Sequence, residues 1–187
     1  MFVQSNFRLK QLQERFDNMV NTDALTGVYN RRYVDENIDH LIESVSRVKG
    51  TLTLMAIDVD YFKSYNDIYG YEKGYICLKI IANILSRSIK KDNDFVARYT
   101  GKEFLVVFPN TDENKAQMIA QRLLKNIRDC NMLHEKSEVA NCVTISIGVT
   151  TGSVNDNHRR DNYISKAKEA LYSSVQNGCN RYTFLSL

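Results

Sequence analysis

One stretch, Thr51 to Asp60 (TLTLMAIDVD), constrains the fold of this chain more than any other. It is apolar and β-branched on both sides of its alternation, and it ends in two acids, Asp58 and Asp60. A short unbroken run of this kind reads as a central strand buried on both faces. A spacing of two puts both acids on the same face. Carboxylates at that end of an apolar strand are costly unless they bind something or face a crevice. The ends of strands are also where α/β sheets bind ligands. Two readings stand on pattern alone. In one, the acids form a Mg²⁺ centre for phosphate chemistry, completed by a carboxylate such as Glu103 from a nearby hairpin. In the other, they cap the next turn.

The rest of the chain alternates around this strand. Phe2, Leu9 and Phe16 are seven apart, with Leu12 and Met19 between them. That heptad stripe predicts an N-terminal helix over residues 1–21. It is either a coiled-coil stub that joins protomers and carries a signal, or an amphipathic helix packed on its own domain. Asn21-Thr22-Asp23 breaks the stripe, and residues 22–187 form the domain proper. A helix is expected from Asn30 to Val48, stopped by the glycine of Lys49-Gly50. Tyr61 to Tyr75 reads as a turn-rich stretch, with Gly70 and Gly74, before a helix over 76–89. Phe95–Tyr99 and Glu103–Phe108 read as hairpin strands around Thr100-Gly101, with Pro109 ending the second. A helix over 112–130 carries Asp112 and Glu113 in its first turn, favourable for the helix dipole. A half-buried strand over 141–150, a helix over 161–176 stopped at Asn177-Gly178, and a strand over 181–185 complete the order. This is an α/β sandwich, a central sheet covered by helices.

Composition narrows the function classes. Net charge is +3, too small to argue for nucleic acid or an anionic membrane. The basic cluster His158-Arg159-Arg160 is flanked by Asp156 and Asp161 and reads as a solvated loop. Cys77, Cys130, Cys142 and Cys179 show neither CxxC nor metal-ligand spacing, which points to a reducing, cytoplasmic setting. Arg8, Lys10, Glu14 and Arg15 interrupt any secretory signal. No run approaches the ~18 apolar residues of a membrane span, so a membrane or sensor part would lie outside this chain.

Several ordered motifs together resemble the GGDEF family of diguanylate cyclases. They are Asp23-Ala24-Leu25-Thr26-Gly27 with Asn30-Arg31-Arg32, and Ile57-Asp58-Val59-Asp60-Tyr61-Phe62-Lys63 with Asn66-Asp67 and Gly70. Arg98 to Phe104, Thr144 to Val149, and Ala170-Leu171-Tyr172 with Asn177-Gly178 and Asn180 follow. The resemblance covers about Thr22 to Phe184. It implies a nucleotidyl-cyclase-like fold with a mixed, mainly antiparallel sheet. It also implies a reaction in which two facing domains join two GTP into cyclic di-GMP. Metal would be held by Asp58, the Val59 carbonyl and an acid of the naming motif. Main chain near Phe62 and Lys63 would touch phosphates, and Asn66 would read guanine.

The naming motif itself reads Thr100-Gly101-Lys102-Glu103-Phe104. Lys102 stands where the family has an acidic ligand. At ~4 Å from Mg²⁺ its ammonium would be opposed by at most roughly 8 kcal/mol at an effective dielectric of ~20. Thr100 replaces a glycine. Tyr75 stands where the resemblance implies a guanine-pairing aspartate, so a charge-assisted partner is lost. Tyr71 replaces a common histidine and Lys168 a frequent aspartate. Val175 and Cys179 stand where phosphate-binding lysine and arginine are usual. Lys91 to Asp94 matches the product-inhibition stretch, with a lysine that lacks arginine's bidentate fork.

Metal, base and phosphate contacts are thus each depleted. The expected function is a degenerate domain without cyclase activity, a regulatory or dimerisation module fed by the N-terminal helix. It would form a homodimer or engage a partner protein or an attached sensor domain. A nucleotide sensor is a second expectation, with Gly101, Lys102 and Lys63 meeting GTP, ATP or cyclic di-GMP weakly and Mg²⁺ inessential. An active cyclase, or one of altered substrate choice, is the third. It rests on Asp58, Asp60 and Glu103.

Overall fold

The structure is a computed structural model that describes residue 8 and residues 19–89, 93–154 and 159–187. The predicted helix over 1–21 therefore lies outside the described residues, except for Arg8 and residues 19–21, which are helical.

Among the described residues six strands form one sheet: β1 (Tyr29–Asn30), β2 (Thr51–Val59), β3 (Phe95–Arg98), β4 (Glu103–Pro109), β5 (Ile145–Ser153) and β6 (Tyr182–Ser186). Their spatial order is β1-β3-β4-β2-β5-β6. The β2–β4, β2–β5 and β3–β4 pairings are antiparallel, and the β1–β3 and β5–β6 pairings are parallel. The sheet is mixed and mainly antiparallel, as the resemblance implied. The described helices are α1 (Arg31–Arg47), α2 (Phe62–Tyr69), α3 (Tyr71–Ser88), α4 (Glu113–Asp129) and α5 (Arg160–Gln176).

β2 is central, and its alternation assigns two cores. Leu52, Leu54 and Ala56 pack with Val34, Ile38 and Ile42 of α1 and Tyr163, Ala167 and Leu171 of α5. Met55, Ile57 and Val59 pack on the opposite face with Leu78, Ile81 and Leu85 of α3 and Ala120, Leu123 and Ile127 of α4. Asp58 falls on the α1/α5 face, paired across the sheet with Glu103 on one side and Ser146 on the other.

Local chemistry sets the helix ends. The Asn30 side chain accepts from the Tyr33 amide at 3.0 Å to start α1. The same side chain donates to the carbonyls of Val20 (2.8 Å) and Thr22 (3.2 Å), so it ties the incoming chain to the helix it caps. Asp112 caps α4 through the Lys115 amide at 2.9 Å, one position before the helix it was expected to open.

Four expectations need correction. Tyr61–Tyr75 is helical rather than turn-rich: α2 and the whole first turn of α3 lie in it, broken at Gly70 (φ 81°). The turn that stops α1 has its left-handed residue at Lys49 (φ 53°), not Gly50. A Cβ at Gly50 would sit 2.1 Å from Asn110 Oδ1, so the Asn110 side chain would have to move to admit one. β5 begins at Ile145 instead of Asn141, because Val143 N and Thr144 O are taken by Met132 O (2.7 Å) and Asp60 N (3.0 Å). It is also buried on both faces from Ile145 to Thr151, since helices cover both sides of the sheet.

Candidate functional site

The carboxyl end of β2 and the β3–β4 hairpin meet where the sequence placed the site. Asp58 is the last but one residue of β2, and Glu103 begins β4 directly opposite. The turn between the strands is tight: Tyr99 N donates to Glu103 O at 2.8 Å. It projects Lys102 back over the strand end. Lys102 Nζ lies 2.8 Å from Asp58 Oδ2 and 3.4 Å from the Val59 carbonyl. The other Asp58 oxygen, Oδ1, is buried and makes no hydrogen bond. Burial pushes the Asp58 acid up from its ordinary value, and the Lys102 bond and charge oppose that rise, while Glu103 and Asp60 add to it.

Glu103 has its own cation. Lys168 of α5 lies 3.4 Å from Glu103 Oε2 and 4.9 Å from the Tyr99 ring centroid. Arg31 contacts the same ring at 4.8 Å. Two carboxylates and two ammonium groups therefore share this end of the sheet. Divalent magnesium takes oxygen ligands at about 2.0–2.1 Å in near-octahedral order. Here one ammonium already bridges the two oxygens best placed for it, so the residues as arranged do not fit that ion.

Asp60 has a different fate from Asp58. It is 3% exposed and accepts from Thr144 Oγ1 (2.7 Å), Ser146 Oγ (2.6 Å) and the Asn180 amide (3.1 Å). It joins the start of α2 to β5 and to the loop before β6. The turn-capping reading thus describes Asp60, while Asp58 faces the hairpin and is paired with Lys102.

The expected nucleotide contacts lie along α2 and α3. Phe62 and Lys63 form the first turn of α2, which follows Tyr61 in a left-handed conformation (φ 50°) and has no side-chain cap. Lys63 is exposed. Asn66 faces Gly74, where an added Cβ would lie 1.9 Å from Asn66 Oδ1, and that oxygen is buried without a hydrogen bond. Tyr75, the next residue, is half exposed, and Tyr71 stands in solvent. Gly101 has open space where a Cβ would stand, and neither it nor Thr100 has a positive φ. The hairpin therefore folds without a glycine at position 100.

Val175 is half-buried against the α1/α5 core and Cys179 is buried, so neither offers charge to a phosphate. Lys91 lies outside the described residues. Asp94 is buried well away from Asp58 in the sheet order, beside a cavity of about 400 Å³ with Lys115, Met118 and Arg122.

Some working residues escaped the sequence reading. Arg98 grips the Gly101 carbonyl through Nε (2.9 Å) and Nη2 (2.6 Å), and its Nη1 reaches Asp23 at 3.1 Å. Its place inside the hairpin motif was the signal, but a partner 75 positions earlier is not legible from spacing. His134 is fully buried, and its Nε2 lies 3.2 Å from the Tyr61 carbonyl, where it supports the turn into α2. Nothing in the sequence pointed to it.

Comparison with known proteins places the fold in a family. The family described as diguanylate cyclase, GGDEF domain, matches residues 20–181. Diguanylate cyclase A of Treponema denticola is 36% identical over 168 residues, which are 88% of this chain and 44% of that protein. The chain thus spans less than half the length of that relative. The coiled coil and GGDEF domain of DgcB from Caulobacter crescentus, solved with c-di-GMP, superposes with a TM-score of 0.86. It is 24% identical, with 98% of this chain and 95% of that one covered. Diguanylate cyclase SiaD of Pseudomonas aeruginosa, solved with its activator SiaC, gives a TM-score of 0.82 at 26% identity. That alignment covers 97% of this chain and 68% of SiaD.

Proposed function

We propose that this chain, which belongs to the GGDEF family of diguanylate cyclase domains, is a member that signals without making cyclic di-GMP. The observation that carries the reading is the position of Lys102 Nζ, 2.8 Å from Asp58 Oδ2 and 3.4 Å from the Val59 carbonyl. Phosphoryl transfer between two nucleotides depends on cations that offset phosphate charge at a fixed place. Here a side chain of the protein takes that place and its oxygens. The loss of charge at Val175 and Cys179, and of a carboxylate at Tyr75, points the same way.

The role left is a regulatory or dimerisation module in cyclic di-GMP signalling, with input through the N-terminal segment. Asn30 supports that coupling, because one side chain holds both the Val20 and Thr22 carbonyls and the first turn of α1. The test is turnover. The purified protein, incubated with GTP and either Mg²⁺ or Mn²⁺, is expected to release no pyrophosphate and no cyclic di-GMP by chromatography. Accumulation of cyclic di-GMP overturns the reading.

A second reading has one observation of its own. The buried acceptor Asn66 Oδ1 has no partner and lies beside the uncapped first turn of α2. That pairing suits a purine edge and a phosphate, and it supports nucleotide binding without turnover. Calorimetry with GTP or ATP in EDTA is expected to give binding that Lys102→Glu weakens. No heat at millimolar nucleotide removes this second reading and leaves the first intact.

A further inference from the structure

The cation at Lys102 is half of the arrangement. The position opposite Asp58 is Glu103, and that carboxylate also has an ammonium from elsewhere in the chain, Lys168 on α5. The two pairs come from different elements. Lys102 rides on the β3–β4 hairpin, while Lys168 reaches across from the helix that covers β5. Lys168 is held in place twice, by Glu103 at 3.4 Å and by the face of Tyr99 at 4.9 Å. Cation–π contact of this kind holds an ammonium without consuming its hydrogen-bond donors. The helix under it cannot drift: Ala167 and Leu171 on either side press against Gly148 so closely that a Cβ there would overlap their backbone at 2.0 and 2.1 Å.

We infer that Lys168 is a second cation-excluding residue, and that Lys102 and Lys168 together replace the divalent charge of this site by two ammonium groups. This deepens the proposed function and rests on it. The charge count supports it. Asp58 and Glu103 stand opposite each other at the strand end, and each acid is matched by one lysine within 3.4 Å. These two pairs balance without any ion, and Arg31 adds a further positive charge over the Tyr99 ring. A divalent cation entering this site meets both lysines, and returning an acid at position 102 leaves one of them in place. The consequence is specific: reversing the hairpin position alone rebuilds only a weak metal site, and removing the Lys168 charge as well strengthens it.

The experiment compares the wild-type protein with K102D, K168Q and the double variant K102D/K168Q, each melted in EDTA and in a series of Mn²⁺ concentrations. A ligand that binds only the folded state raises the melting temperature with concentration. Wild type and K168Q are expected to show no Mn²⁺-dependent shift. K102D/K168Q is expected to rise by about 3–6 °C at tenfold its dissociation constant. Its affinity should be about tenfold or more above that of K102D, from removal of one nearby like charge. The EDTA melts show that each variant folds, and K102D/K168A serves if the glutamine variant does not. Equal Mn²⁺ affinity of K102D and the double variant overturns the role of Lys168 and leaves the reading of Lys102 standing. A Mn²⁺ shift in the wild type overturns the reading beneath both.

Discussion

Removing one carboxylate at a time separates the two acids at the end of β2. Asp60 satisfies two hydroxyls and an amide in a site with almost no solvent. Asp60→Ala leaves buried donors unmatched, each at about 1–3 kcal/mol, so a loss of about 3 kcal/mol or more is expected in urea unfolding. Asp58 is held by a lysine whose side chain is 42% exposed. After Asp58→Asn that lysine swings into water, and exposed pairs are worth little. The same measurement should place Asp58→Asn within about 1 kcal/mol of wild type. A larger loss at Asp58 than at Asp60 contradicts the division of labour drawn here. The sequence placed both acids on one face, and it gave no means of ranking them. Their difference lies in what β5 and the residue before it bring near: Thr144 and Ser146 reach Asp60 from 84 and 86 positions away.

At the scale of elements, long periodic helices were legible and short tertiary ones were not. α1, α4 and α5 carry apolar stripes and end signals, so their extents were readable to within a residue or two. α2 has eight residues, no side-chain cap and one buried side chain, Tyr65. Helices that short are not stable by propensity alone. Its support comes from a different segment: His134 meets Tyr65 edge-on at 5.3 Å, and the Glu135 amide donates to the Tyr69 hydroxyl at 3.1 Å. β1 has only two residues and exists because β3 pairs with it. The contact of α5 with β5 is the tightest test of element packing. Gly148→Ala would place its methyl 2.0 Å from the Ala167 carbonyl, against backbone that cannot rotate away. The expected cost is about 3 kcal/mol or more, from forced displacement of a helix. A melting temperature equal to wild type would show that α5 has freedom the packing does not suggest.

Over the whole molecule, the chain entering the domain and the hairpin at the site share one ion pair. Asp23 accepts from the Thr26 amide (2.9 Å) and hydroxyl (2.6 Å), and Arg98 links it to the Gly101 carbonyl beside Lys102. Burial raises the Asp23 acid, but the Thr26 bonds and the Arg98 charge outweigh it and hold the acid below the ordinary carboxylate value. A lowered acid contributes stability above its unfolded value and loses it as pH falls through the folded value. Asp23→Asn is therefore expected to cost about 1–3 kcal/mol at neutral pH. The gap to wild type should close as unfolding is repeated at pH values falling below the ordinary carboxylate range. A gap that stays constant with pH would mean that the carboxylate charge is not what holds the turn. The sequence by itself determined the central strand, the long helices and the family motifs, because apolar periodicity and turn chemistry act over neighbouring residues. It also places Lys102 where the family resemblance implies an acid. Only the tertiary structure decided where that ammonium goes, that Lys168 answers Glu103, and that Asp60 is a structural acceptor. Those outcomes depend on strand register and on side chains that meet across tens of residues, and no local pattern encodes such distances.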